Sequence, residues 1–363
     1  MAALKDEVGP ALARALAMEL GRAWPLFPVS RFTRGLAGAL APLELLDRVN
    51  LLADRLAGAL PAAFPDAALV LARTLQSPTF TGWMTLPCGA MVARRGLDHP
   101  DVALPLLAGL TPRWSSEGPI RPFLERHPEL TYRYLAAWCR DGDEHVRRLV
   151  SEGTRPRLPW APVLRSLVAD PSPNVPLLAA LVDDPSPYVR RSVANHLNDI
   201  SKDHPALALD LAARWRPRGD GAAWVVRHGL RTLVKRGDHR ALEILGVTTD
   251  RAIELVDLVL DHDRVAVGGA VTFTLILVLA PTGASTEAVV DYRVHYMGAR
   301  GPRAPKVFKL TRRRLEPGRP VTIRRRHRFA DVSIRRIHPG PHAIDIQVNG
   351  RVLGTAVLEV TAG

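Results

Sequence analysis

Disulfide-forming cysteines and nucleotide-binding glycine motifs are what this sequence lacks. Its two cysteines, Cys88 and Cys139, are too few for a disulfide framework, and neither has metal-ligand spacing to another cysteine or histidine. No P-loop or dinucleotide-binding motif is present. These absences argue against a disulfide-rich secreted fold. They predict a reducing, cytoplasmic setting with neither a metal nor a nucleotide cofactor.

Long apolar runs are also missing. The longest strongly apolar run, residues 270–280, is far shorter than the roughly 20 residues that span a bilayer. Lys5, Asp6 and Glu7 leave no continuous apolar core of the signal-peptide type near the start of the chain. We therefore predict neither an export segment nor a membrane partner, and we interpret residues 270–280 as a buried strand.

Acidic side chains are in the minority. Lys and Arg number 49 against 36 Asp and Glu, which gives a formal net charge of +13. Such an excess favours a polyanionic partner, either nucleic acid or an anionic membrane surface. Lysine contributes only 5 of the 49 basic residues. Selection for bidentate phosphate contacts explains this arginine preference, and so does a GC-rich genome.

The chain of 363 residues is longer than the usual domain of about 100 to 200, so two domains are expected. Its composition changes near residue 250. Before that point Ala and Leu dominate, and residues 43–57 and 164–169 have helical periodicity. After it come short runs rich in Val, Ile and Thr. We therefore predict a helical domain at residues 1–248 and a β-rich domain at residues 249–363.

Seven strand-like runs follow the predicted boundary. Turn-forming residues separate them, including Glu316-Pro317-Gly318 and Asn349-Gly350, and the second of these is a strong two-residue hairpin signal. Seven short strands in about 110 residues suggest a small immunoglobulin-like sandwich. The runs are residues 252–261, 271–279, 288–296, 307–310, 321–329, 342–348 and 352–360.

The helical part contains an internal repeat. The segments DEHVRRLV and DPSPYVRRSV place Val146 and Val189 in equivalent positions, and the weaker copy WVVRHGLRTL adds Val226. Periods of about 40 to 47 residues are typical of HEAT-like repeats, in which each helix pair buries its apolar face against its neighbours. We therefore predict a mainly α fold, in which a HEAT-like repeat α-solenoid is followed by a small all-β immunoglobulin-like sandwich.

Three acidic residues are expected to converge on this solenoid. Superposing the repeat valines places Glu152 opposite Asn195, one helical turn before Asp199. Glu117, in RWSSEGPIRPF, lies one repeat earlier and also precedes a helix start that contains proline. Taken alone, each acid is better explained as a helix cap or a surface ion pair. Together with Trp160 and the surrounding arginines, they favour a functional site.

At these segments the sequence resembles the AlkC branch of the HEAT-like-repeat DNA glycosylases. The resemblance rests on SEG and IRPF around Glu117, on HVRRLVSEGTRPRLPW and on VRRSVANHLNDISKDHP, and it spans roughly residues 10–245. It implies a monofunctional, monomeric glycosylase of the bacterial cytoplasm, associated with the nucleoid. Such an enzyme excises 3-methyladenine and 3-methylcytosine from double-stranded DNA. Members of this branch include enzymes with a C-terminal immunoglobulin-like domain.

By motif position, the resemblance implies catalytic roles for Glu117, Glu152 and Asp199, with Trp160 beside the lesion. Gly118-Pro119 departs from the helix-compatible residues expected after Glu117. Methylation at N3 makes the base a cation and a good leaving group. The carboxylates then have to stabilise the positive charge that develops at the sugar C1′, and to orient or deprotonate a water. Whether the base is extruded from the duplex stays open.

A dense basic segment lies in the predicted β domain. Residues 300–336 hold fourteen Lys or Arg against only Glu316 and Asp331. Such density favours phosphate binding, with the small domain clamping the duplex. The alternative is a solvated sheet edge that charge protects from aggregation. The predicted DNA-binding residues of the whole chain are Arg148, Arg155, Arg157, Arg191, Lys306, Lys309, Arg312, Arg313, Arg314, Arg324, Arg325 and Arg326. The four in the helical part are also expected to keep the acids ionised.

Two other functions fit parts of the sequence. A catalytically silent HEAT-like DNA-binding scaffold would use the basic segment without requiring the acids. A protein-interaction scaffold is common among helical solenoids, although the net charge does not favour it. Release of free methylated base from alkylated DNA by the purified protein distinguishes an enzyme from both.

Overall fold

Helices occupy the first two thirds of the chain and strands the last third. The computed structural model describes residues 4–247, 252–282, 284–332 and 335–362. Its α-helices are α1 (Pro10–Ala23), α2 (Val29–Thr33), α3 (Leu36–Leu40), α4 (Leu45–Ala59), α5 (Phe64–Thr74), α6 (Thr85–Arg95), α7 (Pro100–Leu110), α8 (Arg121–Arg126), α9 (Pro128–Trp138), α10 (Glu144–Gly153), α11 (Arg165–Ala169), α12 (Val175–Leu181), α13 (Pro187–Asp203), α14 (Pro205–Trp215), α15 (Asp220–Gly229), α16 (Arg231–Arg236) and α17 (His239–Ile244). Short 3₁₀ helices are Leu4–Glu7, Gly82–Met84, Ser172–Asn174 and Arg216–Arg218.

The apolar periodicity of the sequence accounts for these helices. In α4, Val49, Leu52, Ala53 and Leu56 are buried at i, i+3, i+4 and i+7, the spacing that places side chains on one helix face. The helix predicted at residues 43–57 is thus present, displaced by two residues at each end. Helix ends are the least certain part of such predictions because capping, not periodicity, decides them.

The internal repeat corresponds to stacked helices. Val146, Val189 and Val226 lie on α10, α13 and α15, and all three are buried. Helix α10 packs against α13, and α13 packs against α15. Equivalent positions of successive repeats therefore form one continuous apolar interface, and the predicted class of helical-repeat fold is confirmed.

Strands form the C-terminal part. They are β1 (Ile253–Leu260), β2 (Arg264–Ala266), β3 (Ala270–Leu279), β4 (Thr286–His295), β5 (Met297–Gly298), β6 (Gly301–Pro302), β7 (Lys306–Leu315), β8 (Val321–Arg328), β9 (Gly340–Val348) and β10 (Arg351–Thr361). One sheet has the order β1-β3-β8, a second has the order β2-β10-β9-β4-β7, and β5 pairs with β6. Neighbouring strands are antiparallel except β10 and β2.

The two larger sheets share one apolar core. Alternate residues of β3 are buried, among them Phe273 and Leu275, and they share this core with Ile344 and Ile346 of β9. Each of the seven predicted runs overlaps a strand, and the immunoglobulin-like prediction is confirmed. The hairpin expected at Asn349-Gly350 joins β9 to β10, and both of its residues have the positive φ that such a turn requires.

The chain divides by its contacts into two compact units. The first comprises Met1–Asp203 with Trp215–Gly229, and the second comprises His204–Arg214 with Leu230–Gly363. Within the second unit, Gly237 and Gly350 approach so closely that a Cβ on either would lie under 3 Å from the other backbone. The hairpin tip of the sandwich thus packs against the turn between α16 and α17. The predicted boundary at residues 248–249 lies outside the described residues.

The described helices were compared with the length and hydropathy that a membrane span requires. No single helix of the described chain is both long and apolar enough to cross a bilayer, and only α4 with α5, bent by 113°, passes that test as a pair.

Candidate active site

Three carboxylates and two arginines form one continuous network in the helical unit. Arg148 Nη1 lies 2.5 Å from Glu117 Oε2, and Arg148 Nη2 lies 3.5 Å from Glu152 Oε1. Arg155 Nη1 lies 2.6 Å from Glu152 Oε1, and Arg155 Nε lies 2.8 Å from Asp199 Oδ2. Acids and cations alternate along this network. The structure therefore brings together the three acids that the repeat spacing predicted to converge.

The three acids differ in exposure. Glu152 and Asp199 are 5% and 1% exposed, whereas the side chain of Glu117 is 28% exposed. Ser192 Oγ donates to Glu152 Oε2 at 2.6 Å, and Lys202 Nζ donates to Asp199 Oδ1 at 2.8 Å. Both carboxylate oxygens of Glu152 and of Asp199 are therefore engaged. These two acids are buried, whereas Glu117 is partly exposed.

Glu117 keeps one oxygen available. Its Oε2 accepts from Arg148 and, at 2.8 Å, from Ser115 Oγ. Its Oε1 accepts no hydrogen bond from any residue that the structure describes. A carboxylate held through one oxygen, with the other open, is arranged to meet a cation or to orient a water.

Opposing effects set the pKa of Arg155. Burial lowers it, but the charge of Glu152 and the hydrogen bond to Asp199 outweigh burial, so the pKa stays above its usual value. Arg155 is a permanent cation at the centre of the network. It is also 8% exposed. Its guanidinium is engaged by the two acids and is not free to contact a phosphate.

The remaining predicted arginines of the helical unit are more accessible. Arg148 lines the cleft described below and lies 4.9 Å from the ring centre of Tyr188. Arg157 is exposed and forms a bidentate pair with Asp203, with both distances 3.0 Å. Arg191 is exposed on α13. Their phosphate contacts remain a prediction.

The end of α10 explains the Glu152-Gly153 pair. A Cβ at Gly153 would lie 2.7 Å from Ile120 Cγ2, a distance that real Cβ atoms do not adopt, and 3.7 Å from the carbonyl oxygen of Glu117. Glycine therefore lets the Glu117 turn approach the helix that carries Glu152. Pro119 of that turn packs against Gly89 of α6, where a Cβ would lie 3.0 Å from Pro119 Cγ. Gly118-Pro119 thus forms a packed turn ahead of α8.

Buried Arg121 fixes the loop that follows α10. It is 3% exposed, and burial lowers its pKa to about 10. Its Nη1 donates to the carbonyl oxygens of Gly153 at 3.0 Å and Arg155 at 2.8 Å, and its Nη2 donates to that of Pro162 at 2.7 Å. One side chain thus holds both ends of the loop that carries Trp160. Sequence reasoning missed Arg121, although its place within the quoted IRPF segment was a clue.

Trp160 sits in this loop in an unusual backbone conformation. Its φ is 63°, in the left-handed region that costs a non-glycine residue about 1–3 kcal/mol. Its side chain is 72% exposed. A strained and exposed tryptophan contributes little to the core. Trp160 lines the same cleft as Glu117, and the role beside the lesion that the resemblance implies for it stays a prediction.

A cleft of about 850 Å³ opens beside Glu117. Aromatic and aliphatic side chains form most of its wall, and Glu117 and Arg148 supply charged groups. The aromatic members are Trp83, Trp114, Trp160, Tyr188 and His145. Glu152 and Asp199 do not line it. The cleft therefore presents one partly free carboxylate to a largely apolar space.

His196 lies three residues before Asp199 on α13, and it does not line the cleft. It is fully buried, its Nδ1 lies 2.9 Å from Ser151 O, and its Nε2 lies 3.3 Å from Asn174 Nδ2. Burial lowers its pKa to about 4, so the ring is neutral near pH 7. Its bonds stabilise the end of α10, and no proton donor of the site can be assigned to it.

The predicted basic residues of the sandwich lie on two edge strands. β7 ends the five-stranded sheet, β8 ends the three-stranded sheet, and all eight side chains are exposed. Arg312 is paired with Glu287 at 2.7 Å. These residues are Lys306, Lys309, Arg312, Arg313, Arg314, Arg324, Arg325 and Arg326. Their location is compatible with phosphate binding and with charge protection of a sheet edge.

Metal-binding clusters are not part of this site. Among the described residues, no group of three or more His, Cys, Asp or Glu side chains is placed to hold a metal ion.

Comparison with known proteins covers both units. Residues 254–362 match the family described as "Uncharacterised protein YhaZ, C-terminal Ig-like domain". The chain is 34% identical over 353 residues to "Uncharacterized protein YhaZ" of Bacillus subtilis (strain 168), which covers 97% of this chain and 98% of that protein. It is also similar to the solved structure of Pseudomonas fluorescens alkylpurine DNA glycosylase AlkC bound to DNA containing an abasic site analog. That match has a TM-score of 0.93 and 34% identity, and covers 99% of this chain and 100% of that one.

Proposed function

Since this chain belongs to the AlkC family of DNA glycosylases, we propose that it hydrolyses the N-glycosidic bond of cationic alkylated bases in double-stranded DNA. The proposed substrates are 3-methyladenine and 3-methylcytosine, and the proposed active form is a monomer. The observation that carries the proposal is the partly free carboxylate of Glu117, which faces an aromatic cleft and is backed by two buried acids. The relative bound to DNA that contains an abasic site analog supports DNA as the partner.

Glu117 is the group closest to the chemistry in this proposal. When the bond between C1′ and the base nitrogen stretches, its electrons move to the cationic base, which leaves neutral, and positive charge develops at C1′. Oε1 of Glu117 stabilises that charge, or orients the water whose oxygen attacks C1′ and whose proton passes to a carboxylate and then to solvent. No acid is needed for the leaving group, because methylation has already made the base cationic.

Glu152 and Asp199 act through position and charge. Arg148 holds Glu117 in place and is itself held by Glu152, while Arg155 joins Glu152 to Asp199. Fixed charges of this kind need no reorganisation during the reaction, which is what makes a preorganised site effective. Lys202, paired with Asp199, completes a balance of three cations to three acids in this network.

Trp160 supplies an apolar surface for the damaged nucleotide. Its exposed ring and its fixed loop let it pack against the sugar or the base without first paying an ordering cost. The same ring shields the space beside Glu117 from bulk water, which strengthens the electrostatic interactions there.

The experiment that tests this function is release of free base. Purified protein is incubated with DNA treated with a methylating agent, and the released bases are identified by mass spectrometry. We expect 3-methyladenine and 3-methylcytosine in the supernatant, and abasic sites in equal number in the DNA.

A non-catalytic DNA-binding scaffold is the competing function, and the burial of Glu152 and Asp199 is the observation that favours it. Buried ion pairs also occur as purely structural elements. A scaffold of this kind would bind alkylated DNA and release no base.

DNA binding by the sandwich is part of the proposal and gives a prediction of its own. Arg324 and Arg326 are exposed on β8, two residues apart and hence on the same side of the strand. If each contacts a phosphate, the double variant Arg324→Gln/Arg326→Gln should lower the slope of log K against log salt by about 0.9 per contact, or about 1.8 in total. Fluorescence anisotropy with an undamaged duplex over a salt series measures this.

A matched control is available in the same sheets. Arg264 is exposed on β2, at the opposite end of the five-stranded sheet from β7, and Arg351 is exposed at the start of β10. Arg264→Gln/Arg351→Gln removes the same charge and should leave the slope nearly unchanged. Equal slopes for both double variants would assign the arginines of β8 to edge protection instead.

A further inference from the structure

A pair of tryptophans lies in the cleft outside the proposed catalytic group. The ring centres of Trp83 and Trp114 are 4.7 Å apart, with 34° between the ring planes. Both rings line the cleft that also contains Glu117 and Trp160, and Trp114 is 39% exposed. Large aromatic rings left this accessible are unusual unless something covers them. The mechanism proposed above makes no use of this pair.

The pair is preorganised by the loops that carry it. Gly82 N donates to Arg113 O at 3.2 Å, which ties the residue before Trp83 to the residue before Trp114. Arg113 Nη2 donates in turn to Leu75 O at 3.1 Å. Gly82 has a φ of 65°, a conformation that glycine adopts without strain. The two rings thus meet through backbone contacts that exist before any ligand binds.

A buried acid fixes the first of these loops. Glu19 on α1 is 5% exposed, and its Oε1 accepts from Thr79 Oγ1 at 2.7 Å. A hydrogen bond from Ser77 is the largest effect on its pKa, and together with those from Thr79 and Arg22 it holds that pKa below the usual value despite burial. A permanent carboxylate thereby anchors the loop four residues before Trp83. A loop fixed by a buried ionic group is better suited to a rigid binding surface than to a flexible connection between helices.

The three tryptophans of the cleft each lie in a segment that follows a helix. Trp83 follows α5, Trp114 follows α7 and Trp160 follows α10, so successive helix pairs each contribute one aromatic ring to the cleft. Trp114 lies three residues before Glu117, in the same loop between α7 and α8, and both line the cleft. The paired rings are therefore placed beside Glu117, where the nucleotide next to the damaged one would lie.

We infer that Trp83 and Trp114 form a stacking platform for the nucleotide that adjoins the lesion on the damaged strand. The inference rests on the proposed function. The apolar, aromatic wall suits the face of a base, and Arg94, which also lines the cleft and is exposed in an ion pair with Asp54, suits a phosphate beside it. The platform holds this neighbour away from the lesion and so opens the damaged nucleotide to Glu117. It makes the flanking base, and not only the lesion, a determinant of excision.

The test combines a protein change with a DNA change. Duplexes carry 3-methyladenine with intact neighbours, or with a tetrahydrofuran residue in place of the 5′ or the 3′ neighbour, which removes that base and keeps the backbone. On the intact duplex, Trp114→Ala should lower the second-order rate of single-turnover excision by about tenfold to a hundredfold. On one of the two flank-modified duplexes, wild-type protein should be slowed to a similar degree, and Trp114→Ala should cause no further loss.

Three further variants separate stacking from folding. Trp114→Phe should restore most of the rate on the intact duplex, because it keeps an aromatic face, whereas Trp114→Leu, which keeps apolar bulk alone, should not. Trp224→Ala is the matched control, since Trp224 is partly buried and stacked on His228 at 4.2 Å but does not line the cleft. It should excise at the wild-type rate. Thermal melts establish that each variant is folded.

The outcomes distinguish this inference from the function on which it rests. If wild-type protein releases no base from any duplex, the proposed function fails. If wild-type protein is active but Trp114→Ala has no effect on the intact duplex, or an equal effect on all three duplexes, the flanking base is not stacked on this pair and the inference alone is overturned.

Discussion

Glu117→Gln is expected to slow single-turnover excision of 3-methyladenine by about 10²–10³-fold. Removing one preorganised group that stabilises transition-state charge typically has an effect of this size. The amide is nearly isosteric with the carboxylate, and Glu117 is partly exposed, so the fold should tolerate the change. Duplex affinity should be unchanged or tighter, because loss of a negative charge near phosphates cannot weaken their attraction.

A control glutamate makes this comparison specific. Glu44 is exposed and forms an ion pair with Lys5 at 2.7 Å, so Glu44→Gln removes the same charge from a paired glutamate that does not line the cleft. Its excision rate should match that of the wild type. A Glu117→Gln protein that excises as fast as this control would remove Glu117 from the mechanism.

Glu152→Gln and Asp199→Asn should also abolish excision, but with a structural component. Each shares Arg155, which is nearly buried. Removing one partner of a buried ion pair leaves a charge insufficiently compensated and costs about 3–5 kcal/mol of folding stability in typical cases. The excision rates of these two variants must therefore be compared with their denaturation midpoints. Glu117→Gln should change the catalytic step without a comparable loss of folding stability.

Neutral lesions are expected to be inert, with hypoxanthine and uracil released at least on the order of 10³-fold more slowly than 3-methyladenine. A neutral base leaves only if it is protonated or if its developing anion is stabilised. The Glu117 carboxylate would oppose that anion, and the buried His196 does not line the cleft. His145 does line it, but its ring packs edge-on against Tyr188 with 5.4 Å between the ring centres, and we assign it no proton transfer. A base that already carries positive charge needs neither kind of help.

The selectivity is measured with one substrate panel in identical duplexes. It contains 3-methyladenine, 3-methylcytosine, 7-methylguanine, hypoxanthine and uracil, each at the same position, with base release followed over time. Only the three cationic bases should appear. Efficient release of either neutral base would reveal a general acid or an anion-stabilising group, and the mechanism would have to be abandoned.

Much of the fold follows from local sequence patterns. The short apolar run at residues 270–280 predicted β3, and Asn349-Gly350 predicted the turn between β9 and β10, because both features depend on residues close together in the chain. The short strands β2, β5 and β6 were missed. They have only two or three residues each, too few for any period to be visible.

The site was predictable in part because it follows the repeat. Spacing from Val146 and Val189 relates Glu152 to the α13 face that carries Asp199, and the two acids do share one arginine. The sequence placed Arg155 near the acids, but it did not predict the bridge between Glu152 and Asp199, because these two residues are more than forty positions apart. The contact of Lys202 with Asp199 could have been predicted, because Lys202 lies three residues after Asp199 on the same helix, where side chains meet.

Burial was the hardest property to predict. Nothing in the sequence distinguishes the partly exposed carboxylate of Glu117 from the buried ones, because exposure depends on how three helix pairs stack. Arg121 and the Trp83–Trp114 pair were missed for the same reason. Each acts through contacts between loops that are distant in the chain, and no local spacing records such contacts.

The central claim, that Glu117 stabilises positive charge at C1′, is tested most directly by binding of two abasic-site analogues. One carries a protonated ring nitrogen at the C1′ position, and the other is a neutral tetrahydrofuran. Because transition-state mimics bind tighter than ground-state groups, wild-type protein should bind the cationic analogue at least about 10²-fold more tightly, and Glu117→Gln should lose most of that preference. Equal affinity of the wild type for both analogues, or a preference that survives in Glu117→Gln, would contradict the claim.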